Sequence, residues 1–216
     1  MMIPPEKRDL FIVVADLDSE NVIKTLLLKR QMALQISLDF INEDLLRYAG
    51  RDSGCFTDAV DILRPMQRKY HRAMIIFDRV GSGSEDRSAG DLEIEIETHL
   101  TNSVWPQGSV AAVVIDPELE AWVWSGSPHV SKVLGWKAGN QPLQQFLNQK
   151  GLWPAGQPKP SDPKMAMEQA VRKVRQPLVT NLFADLAATV SVVGCKDRAF
   201  LKFVQKLQHW FPAAER

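Results

Sequence analysis

The strongest fold signal lies in residues 110–124, which have the sequence Val-Ala-Ala-Val-Val-Ile-Asp-Pro-Glu-Leu-Glu-Ala-Trp-Val-Trp. The apolar run at 110–115 is short and rich in β-branched residues, which is typical of a strand buried on both faces of a parallel sheet. Asp116 and Pro117 then predict a helix start, with Asp116 as the N-cap and Pro117 at the first helical position. We therefore expect a central strand whose carboxyl end carries acidic side chains. In open α/β sheets, ligands bind at this edge.

The acids after this strand are Asp116, Glu118 and Glu120. Helix capping alone would explain Asp116 and Glu118, so a structural and a functional interpretation both stay open for these two residues. Glu120 is different because it stands close to Trp122 and Trp124, where an unpaired carboxylate would be costly. We therefore regard Glu120 as the best single candidate for a functional residue.

Two further buried strands, at residues 10–15 and 73–77, are also followed by acids. These acids are Asp16, Asp18, Glu20 and Asp78. A helix follows the first strand at 21–30, and we expect Asp18 or Ser19 to cap it. If the strands are neighbours, their carboxylates converge at one edge of the sheet. Acids at strand ends also serve as helix caps or lie in solvated loops, so this structural explanation remains open.

The alternation of strands and helices predicts an α/β fold with a mostly parallel sheet and helices on both faces. We expect an edge strand at 34–40, and a helix at 56–69 that Pro65 kinks or ends. Further helices are predicted at 91–100, 117–125, 140–150, 165–174, 178–188 and 198–210. The expected division is an α/β core at 1–152, a proline-rich loop at 153–164 and a helical C-terminal segment at 165–216.

The amino-acid composition narrows the classes of function that the protein can have. Lys and Arg number 26, as do Asp and Glu, so the net charge is zero and the overall basic field typical of duplex-binding proteins is missing. The two cysteines lack metal-ligand spacing and are expected to be reduced. Because there is no apolar run of about 20 residues and no signal-peptide pattern at the N-terminus, we expect a cytoplasmic protein without a membrane partner.

A cation would relieve the repulsion between clustered carboxylates, and Mg²⁺ is the natural occupant because it prefers hard oxygen ligands. Mn²⁺ is the alternative. Arg79 adjoins the acidic edge, where it is placed to bind a phosphate or to pair with Asp78. Lys164 lies in the proline-rich loop, which could fold over the site. The loop at 79–90 contains Gly81 and Gly83 but lacks the motif of a P-loop.

The chain resembles the Toprim-like proteins of bacterial defence islands, most of all those of methylation-associated antiphage defence systems. Three segments carry the resemblance: the acidic turn at 16–20, the strand end Asp78-Arg79-Val80, and the segment Asp116-Pro117-Glu118-Leu119-Glu120-Ala121-Trp122. The C-terminal segment from Cys195 to Phe200 also resembles the end of the family's proteins. The likeness covers nearly the whole chain, and the third segment is the most specific.

The resemblance implies a Toprim-like three-layer α/β/α fold and Mg²⁺-dependent, nuclease-like phosphodiester chemistry. It places the metal on Glu20, Asp78, Asp116 and Glu120, with Glu20 or Glu120 as general acid or base and Asp16 and Glu118 as secondary candidates. Arg79 and Lys164 would bind phosphate. Partners would be other proteins of the defence operon, with nucleic acid as a further candidate.

Val80 stands where the family has a second aspartate. Glu85 or Asp86 in the following loop would then have to supply the missing ligand. The alternative is a non-catalytic binding or regulatory subunit that kept the fold and lost the metal.

Overall fold

The sheet consists of four parallel strands in the order β2-β1-β3-β4. The computed structural model describes residues 6–124, 128–137, 141–175, 181–191 and 195–213. The strands are β1 (Arg8–Val14), β2 (Leu45–Arg47), β3 (Tyr70–Asp78) and β4 (Val110–Ile115). β1 and β3 are neighbours at the centre of the sheet, so their carboxyl ends are adjacent. Asp16 follows the end of β1, and Asp78 is the last residue of β3.

Helices cover both faces of the sheet. They are α1 (Leu17–Lys29), α2 (Gln31–Leu34), α3 (Arg51–Thr57), α4 (Ala59–Leu63), α5 (Ala89–Ser103), α6 (Glu120–Val123), α7 (Pro128–Val133), α8 (Leu143–Gln149), α9 (Pro163–Val174), α10 (Asn181–Thr189) and α11 (Arg198–Trp210). Two short 3-10 helices lie at Asn42–Asp44 and Arg64–Arg68. None of the helices in the described part of the chain is long and apolar enough to cross a membrane.

Alternating residues of the central strands divide the core into two halves. In β1, Leu10, Ile12 and Val14 face a core that includes side chains of α1 and of the helices from α6 to α11. Phe11 and Val13 face a second core formed with α3, α4 and α5. The protein is therefore a three-layer α/β/α fold in which the C-terminal helices contribute to one of the two cores, and the predicted fold class is confirmed.

The position predicted for β4 is wrong, although the strand itself is confirmed. β4 is an edge strand among the described residues, yet all six of its residues are buried. Its outward backbone N–H groups at Val114 and Ala112 donate to the carboxylates of Glu93 and Glu97 in α5, at 2.8 and 3.0 Å. The two carboxylates accept the hydrogen bonds that a neighbouring strand would otherwise accept. The sequence of β4 therefore resembles that of a central strand.

Two other predictions are corrected. The expected edge strand at 34–40 is not formed: α2 ends at Leu34, and the segment beyond it has only an isolated antiparallel bridge between Ile36 and Pro212. The edge strand on that side is β2 instead. The helix expected at 56–69 is divided into α3, α4 and a 3-10 helix, and α4 ends at Leu63, two residues before Pro65, as the prediction of an early end requires.

The other strands and helices that were predicted lie close to their observed positions, whereas β2, α2 and α7 were not predicted. The strands at 10–15, 73–77 and 110–115 and the helices at 21–30, 91–100, 165–174 and 198–210 agree with the structure within a few residues. The predictions at 117–125, 140–150 and 178–188 correspond to α6, α8 and α10. Residues 125, 140 and 178–180 of these predictions lie outside the described part of the chain.

Candidate functional site

An acidic pocket lies at the carboxyl edge of β1 and β3. It is a cavity of about 140 Å³ whose charged lining residues are Asp16, Asp18, Asp78, Glu120, Glu168 and Lys164. We use the name acidic pocket for this set of side chains. Sequence reasoning had singled out four of the six, and it missed Asp18 as a site residue and Glu168 altogether.

Asp78, the last residue of β3, is the most buried of these acids, with 9% of its surface exposed. Its Oδ2 accepts a hydrogen bond from the backbone N–H of Leu119 at 3.2 Å. Its Oδ1 is buried and has no hydrogen-bond partner among the described residues. Burial, reinforced by the nearby carboxylate of Asp52, raises the pKa of Asp78 well above its ordinary value. A buried oxygen without a partner is rare in folded proteins and calls for a physical explanation.

Asp52 forms a hydrogen bond with the backbone of Asp78 and was not predicted as a functional residue. It stands in the first turn of α3, and its Oδ1 accepts a hydrogen bond from the backbone N–H of Asp78 at 2.8 Å. Burial raises the pKa of Asp52 as well. The sequence signal was weak because 51–55 contains small and polar residues, which suggested a connection rather than a helix.

Asp16 is held in place by its role as a helix cap. Its Oδ1 accepts a hydrogen bond from the backbone N–H of Ser19 at 2.7 Å, so Asp16, and not Asp18 or Ser19, is the N-cap of α1. This correction leaves Asp18 in the first helical turn, on the wall of the acidic pocket. Burial and the neighbouring Asp16 raise the pKa of Asp18.

Glu120 lies in the acidic pocket, where the sequence interpretation expected it. It is the first residue of α6, and burial raises its pKa to about 7, with a smaller contribution from the nearby Glu118 carboxylate. The ammonium group of Lys164 acts in the opposite direction. Glu120 is therefore poised to gain or lose a proton near neutral pH.

Lys164 reaches the acidic pocket from the start of α9. Its Nζ donates to Glu118 Oε1 at 2.6 Å, and this hydrogen bond raises the pKa of the Lys164 ammonium. Pro163 holds the first position of α9 and Asp162 caps the helix, so the end of the proline-rich loop fixes where Lys164 stands. Lys164 lines the acidic pocket, although it stands in the first turn of α9 and not in the proline-rich loop, and Glu118 is its ion-pair partner.

The structure does not bring Glu20 or Asp116 into the acidic pocket. Glu20 forms ion pairs with Lys24 at 2.7 Å and Arg47 at 3.5 Å. Asp116 accepts a hydrogen bond from Arg79 Nε at 2.9 Å. These two acids were expected to be metal ligands, and both are instead paired with cations outside the cavity.

Asp116 also does not cap a helix, because α6 begins only at Glu120 and its N-cap position is Leu119. The acid-proline pair, which often opens a helix, here lies in the bend between β4 and α6, and the helix begins three residues after Pro117. Arg79 binds Asp116 rather than Asp78 and therefore lies outside the acidic pocket.

The loop after β3 does not supply the missing ligand. Glu85 Oε1 accepts hydrogen bonds from the backbone N–H groups of Gly81 at 2.8 Å and Gly83 at 3.2 Å. Hydrogen bonds from its own backbone N–H and from those of Gly81 and Gly83 lower the pKa of Glu85 and keep its carboxylate on its own loop. Val80 is largely exposed and is not part of the lining of the acidic pocket.

Within the described residues, the pocket carboxylates do not form a ready-made cluster of metal ligands. In the parts of the chain that the structure describes, no three His, Cys, Asp or Glu side chains are arranged to hold one metal ion together. A cation in the pocket would therefore take one or two protein carboxylates, with water or a substrate phosphate as its other ligands. Mg²⁺ is often bound in this way.

No family model, curated protein or solved structure matches the chain.

Proposed function

We propose that the acidic pocket binds Mg²⁺, or Mn²⁺ in its place, and that the protein uses this ion for phosphodiester chemistry as a component of a bacterial methylation-associated antiphage defence system. The unpartnered Oδ1 of Asp78 carries the metal part of the proposal. The defence system and partners from the same operon follow from the motif resemblance alone, and the cytoplasmic location is the expectation from the apolar pattern of the sequence.

The residues of the acidic pocket fit a hard divalent cation. Asp78 supplies a buried oxygen that lacks a hydrogen-bond donor among the described residues, and Glu120 supplies a second carboxylate in the same cavity. The raised pKa values of Asp18, Asp52 and Glu120 show that burial and mutual repulsion disfavour several negative charges here. A divalent cation would remove this repulsion, and Asp16 and Asp18 lie on the wall where they can bind its water ligands.

The bound ion and two charged side chains of the pocket have chemical tasks in this proposal. Bound Mg²⁺ would polarise a phosphodiester oxygen. Glu120, whose pKa is about 7, is suited to accept a proton from an attacking water or to donate one to a leaving oxygen. Lys164 offers a mobile positive charge at the pocket for a non-bridging phosphate oxygen, once it exchanges Glu118 for the substrate.

Titration calorimetry with Mg²⁺ and Mn²⁺ tests the metal site. We expect binding by the wild type, and loss of binding in Asp78→Asn and in Glu120→Gln. Glu20→Gln is the matched control, since it removes the same charge from an acid outside the pocket and should leave binding intact. Nuclease assays on single-stranded and duplex DNA and RNA then test the chemistry. A protein whose metal binding and defence activity survive both pocket substitutions would exclude this function.

A non-catalytic binding or regulatory subunit is the second candidate. It is favoured because Glu20 and Asp116, two expected metal ligands, are engaged in ion pairs, and because Val80 replaces the second aspartate of the motif. Copurification after expression of the whole operon distinguishes the two. A regulatory subunit should retain its partner and its defence activity in an Asp78→Asn/Glu120→Gln double variant, whereas a nuclease should lose the activity.

A further inference from the structure

We propose that a groove next to the acidic pocket binds the phosphate backbone of a single-stranded nucleic acid through Arg51 and Arg47. The identity of the ligand rests on the proposed function, since phosphodiester chemistry requires that a strand be led to the pocket. Neither arginine was singled out by the sequence.

The groove is a cavity of about 530 Å³, within the range of pockets that hold small ligands. Its charged lining residues are Arg47, Arg51, Asp16 and Asp18, and we call it the basic groove after the two arginines, which line it together with Tyr48. Asp16 and Asp18 line both the basic groove and the acidic pocket. The two cavities therefore adjoin at the carboxyl edge of β1, where Asp16 and Asp18 belong to the lining of both.

Arg51 has the features of a ligand-binding side chain rather than a structural one. It is exposed, and its guanidinium has no hydrogen-bond or ion-pair partner among the described residues. Its backbone has a φ of 55°, a conformation that is costly for a residue with a side chain and that concentrates at functional sites.

Arg47, the last residue of β2, adds a second positive charge to the basic groove. Its only ion pair in the described part of the chain is with Glu20 at 3.5 Å, and 49% of its side-chain surface is exposed. A pair at this distance and exposure is weak, so a phosphate can replace Glu20 at small cost. This gives Glu20 a role as the resting partner of a phosphate-binding arginine.

Tyr48 fixes the loop that presents the arginines. Its backbone N–H donates to the carbonyl of Val14 at 2.9 Å, which ties the loop to β1. Its hydroxyl donates to Asp58 Oδ2 at 2.7 Å. Its ring lies so close to Gly50 and Gly54 that a Cβ at either position would be 2.7 or 2.8 Å from a ring carbon. The loop is held on both sides, so the position of Arg51 is defined before any ligand binds.

Charge and shape together favour a single strand as the ligand. The zero net charge of the chain gives no broad basic face for a duplex, whereas the two exposed arginines of the groove offer positive charge to the backbone of one strand. A phosphate bound by the arginines lies beside Asp16 and Asp18, and the acidic pocket accepts the next part of the strand only when a cation offsets its charge. The groove thus binds the strand, and the pocket acts on it.

The test is the fluorescence anisotropy of a labelled oligothymidine of about eight nucleotides, measured in EDTA over a series of salt concentrations. Arg51→Gln should weaken binding about five- to tenfold and reduce the slope of log K against log salt by about 0.7, as expected when one contact to a single strand is lost. Arg47→Gln should have a smaller effect in the same direction. Arg68→Gln is the matched control, because Arg68 is exposed and precedes β3 at the opposite edge of the sheet.

Absence of binding by the wild type, binding of Arg51→Gln that equals the wild type, or an equal loss in Arg68→Gln would each overturn the proposal. Thermal unfolding of each variant ensures that the comparison is made between folded proteins. Because EDTA removes metals, the result is independent of the metal site. If Arg51→Gln alone loses oligothymidine binding and the wild type binds no Mg²⁺, the groove proposal stands and the proposed catalysis is rejected. If the wild type binds Mg²⁺ but Arg51→Gln binds oligothymidine as well as the wild type does, the metal site stands and the groove proposal is rejected.

Discussion

Glu93 and Asp78 are both buried acids next to the sheet, but their surroundings differ completely. Glu93, which is 3% exposed, accepts hydrogen bonds from the backbone N–H of Val114 and from the side chains of Arg198 and Lys202, all at 2.8 to 3.0 Å. Asp78 has one carboxylate oxygen without a partner among the described residues, and the charged group that most affects its pKa is another acid, Asp52. A satisfied buried charge stabilises a fold, whereas an unsatisfied one is costly and is retained for function.

The largest effect on stability is expected at Glu93. Glu93→Ala removes the acceptor for the Val114 N–H and leaves Arg198 and Lys202 without their shared partner. We expect a loss of about 3 kcal/mol in the free energy of unfolding, measured by urea denaturation.

Glu95→Ala is the control for this change, since Glu95 lies on the same helix and pairs with Arg87 at the surface. Its effect should stay below about 1 kcal/mol. If the two variants were equally stable, the carboxylate contacts at the edge of β4 would not have the structural role assigned to them.

At Asp78 we expect a substitution to increase the free energy of unfolding, whereas Glu93→Ala decreases it. Asp78→Asn removes a buried charge without good partners, so in EDTA it should raise the free energy of unfolding by about 1 kcal/mol. The same variant should lose the rise in melting temperature that Mg²⁺ gives the wild type, because an ion that binds only the folded state stabilises it. A destabilised Asp78→Asn that still responds to Mg²⁺ would show that Asp78 belongs with Glu93 as a structural acid.

This contrast also marks how far the sequence can predict the protein. Strands with continuous apolar runs and helices with clear caps were predictable, since burial and capping act within short segments. The acids at 16–20, 78 and 116–120 were correctly placed at one edge of the sheet, because parallel strands end on the same side.

Which acids share a cavity could not be predicted from local patterns. Glu20 and Asp116 were indistinguishable from Asp78 in sequence, but their side chains meet Lys24 and Arg79 instead of the pocket. Asp52 was missed because its contact with Asp78 joins residues 26 positions apart. The edge position of β4 was missed because Glu93 and Glu97 satisfy its backbone from another element.

The pH dependence of Mg²⁺ binding sharpens the comparison further. Burial raises the pKa of Glu120 to about 7, so protons and Mg²⁺ compete for its carboxylate below that pH. Affinity should rise between pH 5.5 and 7 by up to about tenfold per unit and then level off. In calorimetry, buffers with different ionisation enthalpies should reveal proton release on binding, and Glu120→Gln should remove this release if the residual affinity allows a measurement.

The raised pKa of Glu120 also affects the free energy of unfolding in the absence of metal. Its effect on the pH dependence of stability has the opposite sign to that of a salt-bridged acid, whose pKa is lowered by folding. The folded-state pKa of Glu120 is above the unfolded value near 4.5, so the folded state holds the proton more tightly. The contribution of Glu120 to stability is therefore present below about pH 4.5 and is lost as the pH rises towards 7. In EDTA, Glu120→Gln should flatten this part of the stability profile relative to the wild type, whereas an unchanged profile would argue against burial of the carboxylate.

The smallest effect is expected at Asp116. Its side chain is 47% exposed and pairs with Arg79 at the surface, so Asp116→Asn should change the free energy of unfolding by less than about 1 kcal/mol. It should also leave the calorimetric affinity for Mg²⁺ unchanged, because Asp116 does not line the acidic pocket. A large loss of affinity would instead mean that Asp116 leaves Arg79 to join the metal when it binds. That would restore the ligand set expected from the motif, and the ion pair with Arg79 would then be the resting state of a metal ligand.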